Sequence, residues 1–345
     1  MQRGSSPRPI IEYVTTSDDG VNWIKIGDMP HFGRIVTSTE EKITKEGAKK
    51  SRQVNKGDLI LSNSMSYGLP YIMGIDGYIH DGWFVLKNFE NTFDKDYLCN
   101  LLISSAIQNQ YKRLAAGGVV QNISSDLVNS VSVSIPTMME QKKISSLLNL
   151  IDERIATQNK IIDKLQSLIK GIAQKIVRSN KPNVRLYECV ECSSSTQQES
   201  EVCEQGAYPV YGANGIVGYL DDYNTEGEAV YIIKDGSGVG TVSYVTGKCS
   251  ATGTLNTLQA KDGYSLQYLY YLLKVFNFEP YKTGMAIPHI YFKDYGKAKV
   301  FCPSYTEQLQ YARLLSAIDS KLSVEKNTLR NLSLQKQYLL RQMFI

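Results

Sequence analysis

The chain has 345 residues, 42% hydrophobic and 21% charged, which indicates two folded domains and excludes a disordered chain. Its six cysteines form no disulfide framework, no apolar run approaches the ~20 residues of a membrane span, and no apolar segment follows a basic start, so we expect free thiols and a cytoplasmic protein. The net charge of +4 lies mainly on segments 138–181 and 303–345 and does not by itself predict nucleic-acid binding.

The first module, residues 1–136, alternates strand-like runs with turns. Residues 23–28, 57–61 and 83–87 predict strands, and a helix follows that carries Tyr97 and Leu101. Residues 131–135 alternate valine or isoleucine with serine and predict a last strand before Pro136. The second module opens with the segment 184–190, whereas the first module starts at Met1 with no equivalent segment. We therefore expect the first module either to lack its first segment or to borrow a strand from the carboxyl-terminal end.

The next stretch, residues 138–178, predicts one long helix. Thr137 and Glu140 form a capping box at its start, and Pro182 follows its end. Apolar residues then recur in alternating steps of four and three, the heptad pattern of a helix that packs against another helix. At about 1.5 Å per residue this helix is roughly 60 Å long and needs a partner of similar length. The seam residues are Ile144, Leu148, Ile151, Ile155, Gln158, Ile162, Leu165 and Ile169.

The second half of the chain repeats the first. Residues 227–232 correspond to the run that begins at Gly57, and His289-Ile290 correspond to Asn122-Ile123. A second capping box, Ser304 with Glu307, opens a second long helix. Two unrelated amphipathic helices would not share the same proline and capping box at their starts. Two similar units that close on each other predict antiparallel helices related by a pseudo-two-fold axis. The second seam contains Leu315, Ile318, Leu322, Glu325, Leu329 and Leu332.

Motifs for catalysis are weak. The three histidines have no triad or metal spacing, and residues 236–240 predict a hairpin turn rather than a dinucleotide loop. Residues 246–249 resemble the end of a phosphate loop but lack its first glycine. Cys189, Cys192 and Cys203 could supply three ligands of a zinc site, although no fourth ligand is evident. The sequence therefore favours a recognition protein over an enzyme.

The arrangement of strand, proline, capping box and long heptad helix, present twice, resembles the DNA-specificity subunits of type I restriction-modification systems. The stretches 206–212 and 287–290 are also typical of that family's recognition domains. The resemblance implies an α+β fold, in which two α/β target recognition domains are separated by two long helices that form an antiparallel coiled coil with pseudo-two-fold symmetry. It predicts recognition domains at 1–136 and 182–303, a spacer helix at 137–181 and a carboxyl-terminal helix at 304–345.

The resemblance also implies partners. Each recognition domain would read one half of a split, asymmetric site in double-stranded DNA, and the helices would bind two methyltransferase (modification) subunits, with restriction/translocase subunits in the full complex. The chain itself would be non-catalytic and would bind no cofactor, because S-adenosylmethionine, ATP and magnesium would belong to those partners. No metal site and no membrane partner are expected.

Loop residues with polar or basic side chains are the candidates for base contacts, because asparagine and glutamine can pair with adenine and lysine with guanine. Each is also an ordinary turn or cap residue. Two other functions stay open: a coiled-coil scaffold with two protein- or carbohydrate-binding modules, and an enzyme with its own methyltransferase or nuclease activity. The candidates are Asn63, Ser64, Tyr67, Gln121 and Asn122 in the first module and Asn214, Lys234, Ser237, Thr252 and His289 in the second.

Overall fold

A computed structural model describes residues 1–30, 33–63, 68–114, 123–284 and 286–344. The chain divides into two compact units. The first comprises Met1–Lys160 and Lys326–Ile345, and the second comprises Ile161–Glu325. Each unit therefore contains one module and parts of both long helices.

The first unit contains two five-stranded sheets, with strand orders β1-β10-β7-β8-β4 and β2-β5-β3-β9-β6 once the strands are numbered along the chain. Short 3₁₀ helices lie at Ile10–Glu12 and Ile26–Asp28. Its strands are β1 (Gln2–Arg3), β2 (Val14–Thr15), β3 (Val21–Ile24), β4 (Ile35–Val36), β5 (Glu41–Ile43), β6 (Arg52–Val54), β7 (Leu59–Ser62), β8 (Pro70–Met73), β9 (Gly77–Ile79) and β10 (Trp83–Leu86). Its helices are α1 (Lys45–Lys49), α2 (Lys95–Ile103), α3 (Ser105–Leu114), α4 (Ser125–Asn129) and the start of α5 (Met138–Arg178).

The central strand β7 lies between two core clusters of the first unit, and its alternate side chains point into one cluster or the other. Leu59 and Leu61 pack with residues of α2, α3 and α5, whereas Ile60 packs on the opposite side with Ile24 and Ile79. Successive residues of a strand point to opposite faces, so one strand serves both layers. The run of four buried residues in β7 follows from this position.

The second unit has a four-stranded sheet of order β12-β18-β15-β16, a three-stranded sheet β14-β13-β17 and the pair β11-β19. Short 3₁₀ helices lie at Glu199–Glu201 and Glu279–Tyr281. The strands are β11 (Val184–Arg185), β12 (Val190–Ser194), β13 (Tyr208–Gly212), β14 (Gly215–Leu220), β15 (Glu228–Ile233), β16 (Val242–Thr246), β17 (Ser250–Ala251), β18 (Leu255–Ala260) and β19 (Lys299–Val300). The helices are α6 (Leu186–Cys189), α7 (Leu266–Leu273), α8 (Phe292–Tyr295) and the start of α9 (Tyr305–Met343).

The two units share a framework. The antiparallel order β12-β18-β15-β16 repeats β1-β10-β7-β8, and a helix follows the second strand of each set. Each long helix is also tied to its unit by a buried glutamine. Gln141 Oε1 accepts a hydrogen bond from the N–H of Asp94 at 2.8 Å, and Gln308 Oε1 accepts one from the N–H of Ser265 at 2.9 Å. Asp94 and Ser265 cap α2 and α7, so the same amide joins two helix starts in both units.

Within the first unit, α5 and α9 run antiparallel. Ile144 and Leu148 pack in one cluster with Leu339 and Met343, and Asp152, further along α5, forms an ion pair with Lys336, earlier on α9. All the seam residues predicted on both helices are buried or half-buried, including the polar Gln158 and Glu325. Both predicted capping boxes are present, since Thr137 N–H donates to Glu140 at 2.9 Å and Ser304 N–H donates to Glu307 at 3.1 Å.

The strand predicted at 131–135 is wrong. These residues form no strand, whereas their counterpart β19 pairs antiparallel with β11 through Val184 and Val300. An alternating pattern needs a neighbouring strand to supply main-chain hydrogen bonds, and none of the described residues pairs with 131–135. The hairpin predicted at 236–240 is confirmed, because this segment connects the antiparallel strands β15 and β16.

Candidate nucleic-acid interface

In the second unit, the end of the central strand β15 is joined to a loop that lies far along the chain. The N–H of Ile290 donates to the carbonyl of Lys234 at 2.9 Å, and the N–H of Gly236 donates to the carbonyl of Pro288 at 2.9 Å. These two bonds flank Asp235 and His289, which lie directly opposite each other, and they place Lys234 opposite Ile290 at the start of the β15–β16 loop. We call this backbone pairing the loop join.

The first unit has the counterpart of the Lys234–Ile290 bond of the loop join at the end of its own central strand β7. The N–H of Ile123 donates to the carbonyl of Asn63 at 2.8 Å. Ser64 and Tyr67, which follow Asn63, and Gln121 and Asn122, which precede Ile123, lie outside the described residues. The bond joins Asn63 to Ile123, the described residues next to these two stretches.

The candidates differ in exposure. Asn63 is 4% exposed, and its side-chain amide donates to the carbonyl of Asp81 at 2.8 Å. Thr252 is 1% exposed and shares a hydrogen bond of 2.8 Å with the hydroxyl of Thr254, whose carbonyl in turn accepts from the N–H of Lys234. Both side chains are therefore engaged inside the protein. Lys234 and His289 are half-buried, and Ser237 is exposed on the β15–β16 loop.

Asn214 does not belong to the loop join. It lies exposed in the two-residue turn between β13 and β14, and none of its hydrogen bonds to the described residues reaches Lys234 or His289. Thr252 connects the two regions indirectly, because its N–H donates to the carbonyl of Tyr211 on β13 at 2.9 Å.

Sequence reasoning missed an aromatic and basic group beside His289. The ring of Tyr291, which is 46% exposed, lies edge-on to His289 with the ring centroids 5.1 Å apart. The ammonium of Lys293 lies 5.1 Å from the centroid of Tyr291, a cation–π contact. Ile287 is 66% exposed on the same loop. The alternation of aromatic and basic residues over 289–293 was the available signal, since this combination suits nucleic-acid surfaces.

A glycine shapes this loop. Thr283 and His289 exchange main-chain hydrogen bonds of 2.9 and 2.8 Å, and the turn between them requires Gly284 at φ +88°. A Cβ there would lie 2.3 Å from the carbonyl oxygen of Ile287. Only glycine fits this position without strain. The orientation of His289 therefore depends on a residue five positions earlier in the chain.

In the first unit, the half-buried His80 supports the strand end. The N–H of Gly82 donates to Nδ1 of His80 at 2.7 Å, and Asn63 N–H donates to the carbonyl of Gly82 at 2.9 Å. Burial lowers the pKa of His80, although the neighbouring carboxylate of Asp81 opposes this shift. The hydrogen bond from Gly82 requires an unprotonated Nδ1, so the geometry agrees with a neutral imidazole.

The cysteines are not arranged as a metal site. Among the described residues, which include all six cysteines, no group of three or more histidine, cysteine or acidic side chains could hold a metal ion. Cys189 instead lies against Cys302, with the sulfur atoms 3.8 Å apart. No helix within the described ranges is long and apolar enough to span a bilayer.

The profile of the type I restriction modification DNA specificity domain matches the chain twice, at residues 8–167 and 183–333. Each match covers one module and most of the helix that follows it. The chain belongs to this family of type I specificity domains. The prediction of a fold with two target recognition domains and long helices is thereby confirmed.

Relatives in the family are distant in sequence. A putative type I specificity subunit from Mycoplasma genitalium is 26% identical over 261 residues, which cover 69% of this chain and 68% of the relative. The EcoprrI specificity subunit of Escherichia coli is 27% identical over 117 residues, and the match spans only 29% of the length of that relative. A solved structure, the type I S subunit from M. genitalium, superposes with a TM-score of 0.61 at 17% identity, covering 99% of this chain and 96% of the other.

Proposed function

We propose that this chain is the DNA-recognition subunit of a type I restriction-modification enzyme. It reads a bipartite, asymmetric target in double-stranded DNA, with one recognition domain for each half-site. The chain is itself non-catalytic. S-adenosylmethionine, ATP and magnesium are bound by partner subunits that methylate, translocate and cleave.

The loop join is the observation that carries this proposal. The same backbone pairing occurs at the same strand end in both units, at Asn63 with Ile123 and at Lys234 with Ile290. The residues that flank it differ between the units, asparagines in one and lysine and histidine in the other. A constant frame with different side chains is the arrangement that reading two unlike half-sites requires.

The side chains at the join divide into supports and contacts. Asn63 and Thr252 are buried and hold their loops, whereas Lys234, Ser237, His289, Tyr291 and Lys293 retain exposed surface. We assign base and phosphate contacts to this second group, since lysine pairs with the acceptors of guanine and with phosphates. In the first unit the corresponding contacts come from Ser64, Tyr67, Gln121 and Asn122. Asn214, away from the join, contacts the DNA backbone.

The long helices supply the second part of the proposal. A helix of 41 residues, such as α5, is roughly 60 Å long and exceeds one turn of B-DNA at about 34 Å, so it suits a spacer between two half-sites. In the first unit the outer face of α5 exposes Leu147 and Leu150, at 42% and 59%. These two leucines lie beside a groove that is also lined by Leu332 of α9. We assign this apolar strip to a methyltransferase subunit.

A footprint tests the proposal. The chain would be purified with the modification subunits of its own system, and DNA fragments selected by the complex would be footprinted. Two protected segments at a fixed gap are expected, and Lys234→Ala with Lys293→Ala should weaken protection of one segment only. Lys261→Ala, on a turn away from the join, is the matched control. A continuous footprint, or equal loss in both segments, would contradict the assignment.

The other functions give different results. A scaffold with protein- or carbohydrate-binding modules would leave DNA unprotected in the presence of the modification subunits. An enzyme would modify or cut DNA as the purified chain alone, supplied with S-adenosylmethionine or magnesium. Mapping methylated adenines in the host genome with and without the gene would identify the target sequence.

A further inference from the structure

In the second unit, three segments of main chain meet at the loop join and align three polar residues. Asp235 lies directly opposite His289, and His289 in turn lies directly opposite Thr283. The two bonds of the loop join flank the first pair, whereas Thr283 and His289 bond each other directly. Residues that lie directly opposite each other in an antiparallel pair have their side chains on the same face. We call Asp235, His289 and Thr283 the polar row.

The polar row lies on the outer face of the loop. Ile290, next to His289, is buried, and successive residues of an extended segment point to opposite faces, so His289 points away from the core. Tyr291 is exposed on the same face and contacts the imidazole ring. Asp235 and His289 form a non-hydrogen-bonded pair, the kind of pair in which opposite side chains lie closest together. Asp235 is therefore held beside the imidazole, on the side of the loop that carries Tyr291.

The imidazole of His289 does not supply a proton to Asp235. Nδ1 of His289 lies 3.2 Å from the carbonyl oxygen of Ile287, which can only accept a hydrogen bond, so Nδ1 carries the proton. In the neutral ring Nε2 is then an acceptor, as the carboxylate is. Two hydrogen-bond acceptors thus lie on one face of the loop.

The carboxylate of Asp235 has no donor in the part of the chain that the structure describes. It is half-buried, and no hydrogen bond or ion pair from the described residues reaches it. An aspartate at the start of a turn commonly accepts from the N–H two residues further on, yet Ser237 makes no such bond with it. The carboxylate is therefore free to accept a hydrogen bond from a ligand.

The chemistry of a carboxylate limits what it can contact on DNA. Phosphates repel it, so on a DNA-binding face it suits a base rather than the backbone. The donors in the major groove are the amino groups at N4 of cytosine and N6 of adenine. Adenine also presents the acceptor N7 beside its amino group, and N7 repels a carboxylate, whereas cytosine presents N4 alone. Cytosine is therefore the better partner.

We propose that Asp235 determines specificity for a cytosine in the half-site read by the second unit, by accepting a hydrogen bond from the N4 amino group of that base. This assignment rests on the proposed function and adds one base of the target to it. His289 and Thr283 fix the position of Asp235 through the main chain. The ammonium of Lys293, beside Tyr291, lies on the same loop and offsets the repulsion between the carboxylate and nearby phosphates.

Base analogues test this contact in the complex assembled with the modification subunits. In the half-site whose footprint depends on Lys293, each cytosine is replaced in turn by pyrimidin-2-one, which lacks the N4 amino group, and each adenine by purine, which lacks the N6 amino group. One cytosine replacement should weaken binding by the parent complex about tenfold, as expected for one hydrogen bond to a charged acceptor. With Asp235→Ala the same replacement should cost about tenfold less, because the acceptor is already absent. Any effect on base pairing is common to both complexes and cancels.

Two further variants make the test specific. Asp262→Ala, at an exposed acidic residue on the turn between β18 and α7, is the matched control and should retain the full sensitivity to the cytosine analogue. Asp235→Asn should increase the relative binding of a target with adenine at the same position, because asparagine pairs with N6 and N7 of adenine. The loop join consists of main-chain bonds, so both variants at position 235 should fold, and melting curves establish that they do.

The outcomes separate this proposal from the proposed function. Equal sensitivity of the parent and Asp235→Ala complexes to every analogue would overturn the role of Asp235 while the two-segment footprint remained. A half-site with no cytosine on either strand would overturn it as well. Coupling of Asp235 to an adenine would overturn the choice of cytosine, whereas absence of the footprint would overturn the function itself.

Discussion

The carboxylate of Asp152, on α5, forms an ion pair with the ammonium of Lys336, on α9, and the same carboxylate accepts from Arg34 Nη2 at 3.0 Å. Asp152 thus connects both long helices to the recognition module of the first unit. The side chains of Arg34 and Lys336 are 16% and 19% exposed. One anion here neutralises two largely buried cations.

Replacing Asp152 by asparagine should destabilise the first unit. Both cations lose their charge partner while largely buried, which costs about 3 kcal/mol where burial is complete and about 1–2 kcal/mol at this exposure. The free energy of unfolding, from urea denaturation followed by hydrogen exchange in α2 and α5, measures the change. Asp319→Asn is the matched control, because within the described ranges Asp319 in the second unit accepts a side-chain hydrogen bond only from the hydroxyl of Tyr271 at 3.4 Å. An equal loss in both variants would contradict the role given to Asp152.

Gln141 offers a second test of the framework. Its side-chain amide accepts a hydrogen bond from the N–H of Asp94 and donates to the carbonyls of Thr92 and Pro136. Gln141→Leu therefore leaves these three main-chain groups without their partner beside a buried side chain. A loss of about 2–3 kcal/mol in the free energy of unfolding is expected. Gln166→Leu, on the exposed face of α5, should change it by less than about 0.5 kcal/mol. A neutral Gln141→Leu variant would show that the amide is not the connection.

The first unit should lose stability in mild acid. The pKa of His80 lies below its ordinary value of 6.5 because of burial, so the folded chain binds this proton less readily than the unfolded chain does. The stabilisation is complete above about pH 6.5 and is lost as the pH falls through the pKa of the folded state. Melting temperatures between pH 5 and 8 should show this fall. His80→Asn, which retains an acceptor for the Gly82 N–H without titrating, should flatten it, whereas His289→Asn should not.

Gly284→Ala should impair recognition by the second unit. The added methyl group meets the carbonyl of Ile287 and the φ of +88° is unfavourable, so the loop that holds His289 must shift. DNA binding by the assembled complex should fall by about tenfold or more, measured by gel shift at fixed salt. Gly227→Ala shares a positive φ of +83° but has no atom within 4 Å of its Cβ, and should leave binding unchanged. Equal effects would indicate general strain rather than a displaced loop.

The two long helices and their caps could be predicted from sequence because the heptad pattern and the capping boxes are local. Whether residues 131–135 form a strand could not be predicted from the local sequence. Val133 and Ile135 need a neighbouring strand for their main-chain hydrogen bonds, and no local pattern shows whether one is present. The parallel pairing of Trp23 with Tyr78 could not be predicted from local sequence either, because it joins residues that are distant in the chain.

The candidate site was predicted in part. The internal repeat placed His289 opposite Asn122, and the loop join brings His289 against Asp235, which sequence alone could not pair. Tyr291 and Lys293 were missed, because the exposure of an aromatic side chain depends on packing that a single sequence does not show. Asn63 and Thr252 were chosen by residue type, and their burial is likewise a property of the folded chain.

The loop join is made by peptide groups alone, so it does not determine which side chains occupy positions 289 and 291, whereas Ile290 between them is buried. A point mutation there leaves the join in place, and a lineage can pass from one target preference to another without an intermediate that fails to fold. Inherited diversity can therefore accumulate at these positions while the rest of the gene remains under selection for folding.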